Sequence, residues 1–311
     1  MWKVAVIGSL LVDIAVRTPR LPQRGDNIHV CDFRMGAGGK GGNAAVAISR
    51  LGGSALAIGC IGDDDLGRLQ LAALGAEGID VSGVTAVPGA KTAVAIVLVE
   101  NDGQNAVLVA DRTNELLTGA MVREALEPHW ENLDALLVNF ECARDAVSTA
   151  VMLGQQHRTP VVIDPAPAQP FEQGIWGMAT VLTPNRSEAA ALVGYRLSDE
   201  RDVRRAARQL HRAGPDVVVV KLGTEGAYLC TDEDEIVVPA LEVNVVDTTG
   251  AGDAFTAALI ASLLEGRSWR DGIRFANAAG ALATTRFGTV DAMPTRAEIE
   301  AALSQPGHGS P

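Results

Sequence analysis

Aromatic side chains make up only 4% of this 311-residue sequence, cysteine occurs four times, histidine five times, and acidic residues outnumber basic ones. Each shortage excludes something. The cysteines, at 31, 60, 142 and 230, are too few for a disulfide framework, and none stands in the C-x-x-C spacing of a metal or redox pair. A reducing, cytoplasmic setting is therefore expected. The histidines at 29, 129, 157, 211 and 308 show no metal-binding spacing. No apolar run approaches the roughly 20 residues of a spanning helix. The opening Trp2-Lys3-Val4-Ala5-Val6-Ile7 reads as a strand, without the charged and apolar regions of a signal peptide. A net charge of −12 argues against a broad basic footprint for nucleic acid or an anionic membrane. Any polyanionic ligand must then be held by a local device.

What is present is a globular composition, 47% hydrophobic and 21% charged, with 33 glycines. Short, nearly continuous apolar runs at 4–7, 55–61, 135–138, 161–163, 180–182 and 217–220 read as strands buried on both faces. Segments 43–51, 66–76, 144–156, 187–193, 202–212 and 254–264 carry helical periodicity. This alternation predicts an α/β fold of three layers, α/β/α, around a mainly parallel central sheet. Residues 13–35 and 92–112 break the rhythm; the second holds two apolar runs around Asn101-Asp102-Gly103, a hairpin signal. With no crossover helix, both are expected to leave the main sheet as a small antiparallel β lid or dimer surface, the alternative being an edge extension of that sheet. Residues 1–305 are read as one domain with these segments inserted, and 306–311 as a frayed tail. Asp63, Asp64 and Asp65 read as a helix start, and 232–235 as a solvated hairpin turn.

Five glycines crowd into Gly36-Ala37-Gly38-Gly39-Lys40-Gly41-Gly42-Asn43. The literal G-x-G-x-x-G at 36, 38 and 41 lacks the buried strand directly upstream that dinucleotide binding requires. A P-loop fails as well, because Gly41 follows Lys40 where Ser or Thr is needed for Mg²⁺. The glycines can let backbone approach a small polar ligand, with Lys40 and Asn43 supplying hydrogen bonds; the plainer alternative is a connector with Asn43 as helix cap. The second cluster, Asp247-Thr248-Thr249-Gly250-Ala251-Gly252-Asp253, enters an apolar helix. Such an entrance exposes N–H groups at the positive end of the helix dipole, an anion site. A carboxylate beside it, Asp253, suits phosphoryl transfer, accepting the proton of an attacking hydroxyl while the amides stabilise the transferred group. Simple capping would need only one short polar residue.

These two segments, with the following Arg50-Leu51-Gly52 and Ala254-Phe255, resemble both signatures of the ribokinase, or PfkB, family of sugar and nucleoside kinases. Further matches occur in the family's order at Gly8-Ser9 with Asp13, Ile61-Gly62-Asp63-Asp64, Glu141, Asp164-Pro165-Ala166-Pro167, Thr183-Pro184-Asn185 with Glu188, Lys221 to Gly226, and Ala276-Asn277. The resemblance implies a ribokinase-like fold and an ATP-dependent phosphotransferase acting on a primary hydroxyl of a small sugar, ribose first. It implies Asp253 as general base and Gly250, Ala251 and Gly252 as anion hole. It assigns Asp13, Gly39, Lys40, Asn43 and Glu141, with Asp253, to sugar hydroxyls. Asn185, Lys221, Gly223, Gly226, Gly252 and Asn277 would meet the nucleotide, and Glu188 would hold Mg²⁺ through water. Asp247, Thr249, Ala283, Arg286 and Gly288 would ligate K⁺, and the protein would be a homodimer.

Three positions depart from the ribokinase pattern. Leu11 stands where Asn is usual, two residues before Asp13, and cannot hydrogen-bond a hydroxyl. The stretch 110–114 lacks the family's small Gly-Ala-Asn pattern, with Arg112 in it, and Ala292 replaces a Ser oxygen at the K⁺ site. A missing polar partner shifts substrate preference by roughly 1–3 kcal/mol. Another sugar or a nucleoside is the alternative substrate, and a catalytically silent sugar-binding paralogue the alternative class.

Overall fold

A computed structural model describes residues 1–30, 32–100, 105–110, 112–168 and 173–304. The Asp-Gly turn expected at 102–103, Cys31 and the tail at 306–311 lie outside the described residues. In chain order the elements are β1 (Lys3–Ile7), β2 (Leu11–Thr18), β3 (Asp32–Gly38), α1 (Lys40–Arg50), β4 (Ser54–Gly62), α2 (Asp65–Ala76), β5 (Asp80–Val87), β6 (Ala93–Glu100), β7 (Asn105–Ala110) and α3 (Gly119–Leu126). They continue as β8 (Ala135–Asn139), α4 (Arg144–His157), β9 (Val161–Asp164), α5 (Gln173–Trp176), β10 (Val181–Leu182), α6 (Arg186–Val193), α7 (Glu200–Arg212), β11 (Val217–Lys221), β12 (Ala227–Cys230), β13 (Glu235–Val238), α8 (Ala251–Leu264), α9 (Trp269–Ala283) and α10 (Arg296–Leu303).

Nine strands form the central sheet in the order β13-β12-β11-β10-β9-β8-β1-β4-β5, parallel from β5 to β11, with β12 and β13 antiparallel at one edge. Strands such as Val217–Lys221 are apolar on both faces because helices cover both. One face packs against α1, α8, α9 and α10 through residues such as Ile48, Leu259, Phe275 and Ile299. The other packs against α3, α4 and α7 through Val122, Val147 and Leu210. The chain runs from β1 outward to β4 and β5, then returns to β8 on the other side of β1. The strand order thus reverses between β1 and β8, and the crevice beyond their C-terminal ends is the usual ligand position of an open α/β sheet.

Strands β3-β2-β6-β7 form a separate four-stranded sheet with its own apolar base around Leu11, Ala15, Ala95, Val97 and Phe287. It is mixed rather than antiparallel as expected, because β2 and β6 pair in parallel. The intervening chain, α1 to β5, crosses back through the main sheet, so both strands emerge from it in the same direction. β3 begins at Asp32, leaving 27–30 outside any strand, and carries Gly36 and Gly38 within it. α1 begins at Lys40, three residues earlier than its periodicity suggested. The expected cap at Asp64 is present, accepting from the Gly67 amide at 2.9 Å, and 232–235 does join two antiparallel strands. Among the described residues no helix is long and apolar enough to cross a membrane, and Cys60, Cys142 and Cys230 are buried and unpaired.

The end of α1 is fastened to the C-terminal loop by Arg50. Its guanidinium pairs with Glu77 at 2.5 Å and donates to the Val290 and Met293 carbonyls at 2.9 and 2.7 Å. Replacing it leaves partly buried acceptors unpaired. Arg50→Met should therefore lower stability by about 1–3 kcal/mol, read as a lower midpoint in urea with an unchanged slope. An unchanged midpoint would mean that Arg50 does not secure this loop.

Candidate active site

Side chains at the C-terminal ends of the parallel strands converge on the crevice. Ser9 follows β1 and Glu141 follows β8, and the Ser9 hydroxyl donates to Glu141 Oε2 at 2.5 Å across the point where strand order reverses. Ser9 also organises the glycine-rich segment. Its Oγ accepts from the Lys40 amide at 2.9 Å, and its carbonyl accepts from the Gly41 and Gly42 amides at 3.0 and 3.3 Å. These amides are thus spent on Ser9. The glycines serve close approach instead: a Cβ on Gly39, whose φ is +87°, would sit 2.5 Å from the Ser9 carbonyl oxygen. That approach lets α1 start at Lys40 and aims its first turn into the crevice.

Lys40 is the first residue of α1, and Asn43, one turn on, is 4% exposed. Asn43 Nδ2 donates to Asp253 Oδ2 at 2.8 Å, joining the N-terminal turns of α1 and α8. Asp253 is buried in the first turn of α8, whose cap is Gly250. Burial raises its carboxyl to about 6, against Lys40 and the Asn43 hydrogen bond, which lower it. Burial by itself would lower the Lys40 ammonium, but Asp253, Glu141, Asp164 and Glu188 together hold it above its ordinary range. The pair therefore stands as carboxylate and ammonium at neutral pH. Of the anion-hole residues expected at 250–252, Ala251 directs its amide to the Thr248 carbonyl at 3.4 Å, a long contact.

Farther along the sheet, Lys221 at the end of β11 pairs with Asp164 at the end of β9 at 2.9 Å, and Thr256 of α8 donates to the same oxygen at 3.0 Å. A Cβ on Gly252 would lie 3.5 Å from Lys221 Nζ, so this ammonium borders the start of α8. Asn185 and Glu188 close a capping box at α6, with both Glu188 oxygens accepting from Asn185 at 2.7 Å. Burial raises the Glu188 carboxyl, partly offset by Lys221. Gly223 and Gly226 bracket the turn between β11 and β12. Asn277 donates its Nδ2 to the Val238 and Pro239 carbonyls at 2.9 and 3.0 Å, fastening the β13 edge to α9.

Asp13 lies on β2 and accepts a short hydrogen bond from the Thr289 hydroxyl. Burial raises it to about 6, with Asp253, Glu141 and Asp247 adding to the shift and Thr289 opposing it. Asp247 is buried and accepts from the Thr249 amide and hydroxyl at 3.0 and 2.6 Å and from the Gly288 amide at 3.2 Å. Ala283 ends α9, and the Thr284 carbonyl that follows accepts from the Asp247 amide at 3.1 Å. The Arg286 side chain turns away to Glu298. Leu11 is buried on the same face of β2 as Asp13, in the small-sheet core, and Arg112 is exposed.

Ser9, Asp164, Thr256 and Thr289 had no role assigned from sequence. For Asp164 a signal existed, a carboxylate ending the apolar run 161–163; the others are single hydroxyls whose partners lie far away in the chain. Asn43 Oδ1 and Asp164 Oδ1 are buried without a hydrogen-bond partner, so each can accept from a ligand in the crevice. A buried base at a helix N-terminus, flanked by two lysines, can take a proton from a hydroxyl while an anion rests on the helix amides.

The model of the "pfkB family carbohydrate kinase" matches residues 1–296. The chain belongs to the pfkB family of carbohydrate kinases. This pfkB chain is 35% identical over 305 residues to the ribokinase of Bacillus subtilis, covering 98% of this chain and all of that one. It is 32% identical over 295 residues to the ribokinase of Haemophilus influenzae, covering 95% and 96%. A deoxyribokinase of Salmonella typhimurium is 30% identical over 302 residues, covering 97% and 98%. The structure of Arabidopsis thaliana ribokinase complexed with ribose and ATP matches with a TM-score of 0.85 at 29% identity, covering 98% and 99%. The pfkB chain is thus a sugar kinase, a phosphotransferase with an alcohol acceptor.

If Lys40 offsets the burial of Asp253, removing it has a definite pH signature. The Asp253 carboxyl already lies above its ordinary 3.8 and should rise further in Lys40→Met. Between the unfolded and folded values the folded state binds the extra proton, so stability falls as pH rises through that window. The urea midpoint of Lys40→Met should therefore drop more steeply than wild type from pH 4 to 7. Parallel curves would mean that the two groups do not interact.

Proposed function

We propose that this kinase transfers the γ-phosphoryl of ATP to a primary hydroxyl of a small sugar, with D-ribose, giving ribose 5-phosphate, as the leading substrate. The observation that carries the reading is Asp253, buried at the N-terminus of α8, hydrogen-bonded to Asn43 and raised to about 6. At neutral pH it is ionised yet basic enough to take the hydroxyl proton as the oxygen attacks phosphorus. Negative charge building on the transferred group falls beside the amides of Gly250, Ala251 and Gly252, with Ala251 released from its long contact to Thr248. Asp13, Gly39, Lys40, Asn43 and Glu141 hold the sugar, and Asn185, Lys221, Gly223, Gly226, Gly252 and Asn277 the nucleotide.

The donor set suits the ions this reaction uses. Asp164 Oδ1 lacks a partner and Glu188 is a buried carboxylate, hard oxygens suited to Mg²⁺. Glu188 and Asn185 would hold that ion with the nucleotide, where it neutralises phosphate charge. Asp247 is buried and its hydrogen bonds from Thr249 and Gly288 come from neutral donors, which suits K⁺, with the carbonyls of Thr249, Ala283, Arg286 and Gly288 completing the set. Ala292, also buried, offers only a methyl group there.

The small sheet acts as a lid over the sugar, excluding water. Its outer face exposes Phe33 at 66% and Leu108 at 65%, which supports a homodimer through that face. Residues 1–305 then act as one kinase domain, and the unpaired cysteines suit a cytoplasmic location. A second substrate, 2-deoxy-D-ribose, is favoured by Leu11, which leaves a sugar hydroxyl near Asp13 without a partner.

ADP release should rise with D-ribose or 2-deoxy-D-ribose and not with inosine; no response to any sugar or nucleoside would leave only a silent binding protein. Asp253→Asn should lower kcat by about 10²–10⁴-fold with the fold intact. Because the base must be ionised, the wild-type rate should fall as pH drops through about 6. A flat profile would remove Asp253 as base. K⁺ should raise the rate above that in a large organic cation, and equal rates in K⁺, Na⁺ and neither would remove the Asp247 site.

A further inference from the structure

The loop from Phe287 to Met293 touches the small sheet, Asp247 and Asp13. Phe287 is 7% exposed in the small-sheet core, with Arg17 and Arg34 over its ring at 5.1 and 5.6 Å. The Gly288 amide donates to Asp247 Oδ2 at 3.2 Å. Thr289, 7% exposed, donates its hydroxyl to Asp13 Oδ2. Consecutive residues thus bind the two carboxylates that face one cleft of about 230 Å³, lined by Asp13, Asp247, Thr249, Gly288 and Thr289. The Asp13 carboxylate also abuts bare backbone, since a Cβ on Gly38 would lie 2.2 Å from Oδ2 and 2.8 Å from Oδ1.

We propose that Thr289 is a positioning residue for the sugar, holding the Asp13 carboxylate in its binding orientation and, through the peptide link to Gly288, tying that orientation to Asp247. The inference rests on the sugar-kinase reading above. A carboxylate on a strand can turn about its last bond, and each orientation aims its lone pairs in a different direction. With Oδ2 held by Thr289 against Gly38, Oδ1 is left to accept a sugar hydroxyl, and the entropy of fixing it is already lost before the sugar arrives. The Cα atoms of Gly288 and Thr289 lie about 3.8 Å apart. A cation held by Asp247 would compete with the Gly288 hydrogen bond, and any change there would pass to Thr289 through one peptide link.

The test is calorimetric binding of D-ribose and 2-deoxy-D-ribose without nucleotide, in potassium chloride and in tetramethylammonium chloride, for wild type, Thr289→Val and Thr289→Ser. The Val variant keeps the shape and loses the hydroxyl, so its sugar Kd should rise about tenfold, whereas Ser, which keeps the hydroxyl, should stay within about twofold. K⁺ should tighten sugar binding in wild type and in the Ser variant but not in the Val variant. Wild-type affinity in the Val variant, or equal losses in Val and Ser, would overturn the positioning role. A K⁺ effect that survives in Val, or is absent from wild type, would overturn the link to Asp247. A wild type that binds neither sugar would remove the sugar reading itself, and this proposal with it.

Discussion

The structure turns on the cost of burying carboxylates where a basic group is needed. Asp253 lies in the first turn of α8 with Asn43 as its hydrogen-bond donor and Lys40 as its nearby cation, and both partners come from the first turn of α1. An unpaired charge in that position would simply stay protonated. The two helices must therefore meet N-terminus to N-terminus, and the glycines at 39 and 41, by letting α1 close on Ser9, make that meeting sterically possible. Ser9 in turn is fixed to Glu141 across the reversal of strand order. Fold topology, glycine placement and base strength are one connected arrangement.

The sequence conveyed those features whose causes are local. A buried parallel strand is a continuous apolar run, so 161–163 and 217–220 were readable; a helix entrance of Gly, Thr and Asp is a local pattern, so the turn before α8 was readable too. The start of α1 is hidden because Gly41 and Gly42 depress helix propensity, and Ser9, about thirty residues upstream, compensates through its carbonyl and its hydroxyl. The parallel pairing of β2 with β6 was hidden because a hairpin-like composition does not report which strand crosses back through another sheet. Asp13 and Thr289 stand 276 residues apart, and nothing in either neighbourhood signals the other. Likewise nothing in residues 40–42 signals that their amides are taken by Ser9.

The Asn185 and Glu188 pair shows how a structural role and a proposed functional one can coincide. Their reciprocal hydrogen bonds form an ordinary capping box, and by itself that needs no ligand. Yet Glu188 is buried and close enough to Lys221 and Asp164 for each to shift its ionisation. A surface capping box does not do this. The cap fixes the carboxylate in one orientation, and burial ensures that its charge acts on the crevice rather than on water.

The arrangement of charge along the crevice also explains how a protein of net charge −12 could accept a nucleotide. Asp13, Glu141 and Asp247 lie toward the small sheet, and acceptors of this kind suit the hydroxyl donors of a neutral sugar. Lys221, itself paired with Asp164 and close to Glu188, lies toward the far strands with the amides at the start of α8, so an anion there would rest on those amides and on a cation that the two carboxylates could hold. Asp253 stands on the boundary, in the first turn of α8 and bonded to α1. A proton leaving the hydroxyl would then pass to a carboxylate that adjoins the helix amides which the arriving phosphoryl group would meet. Net charge describes the surface as a whole; the reaction depends on the gradient across a few side chains.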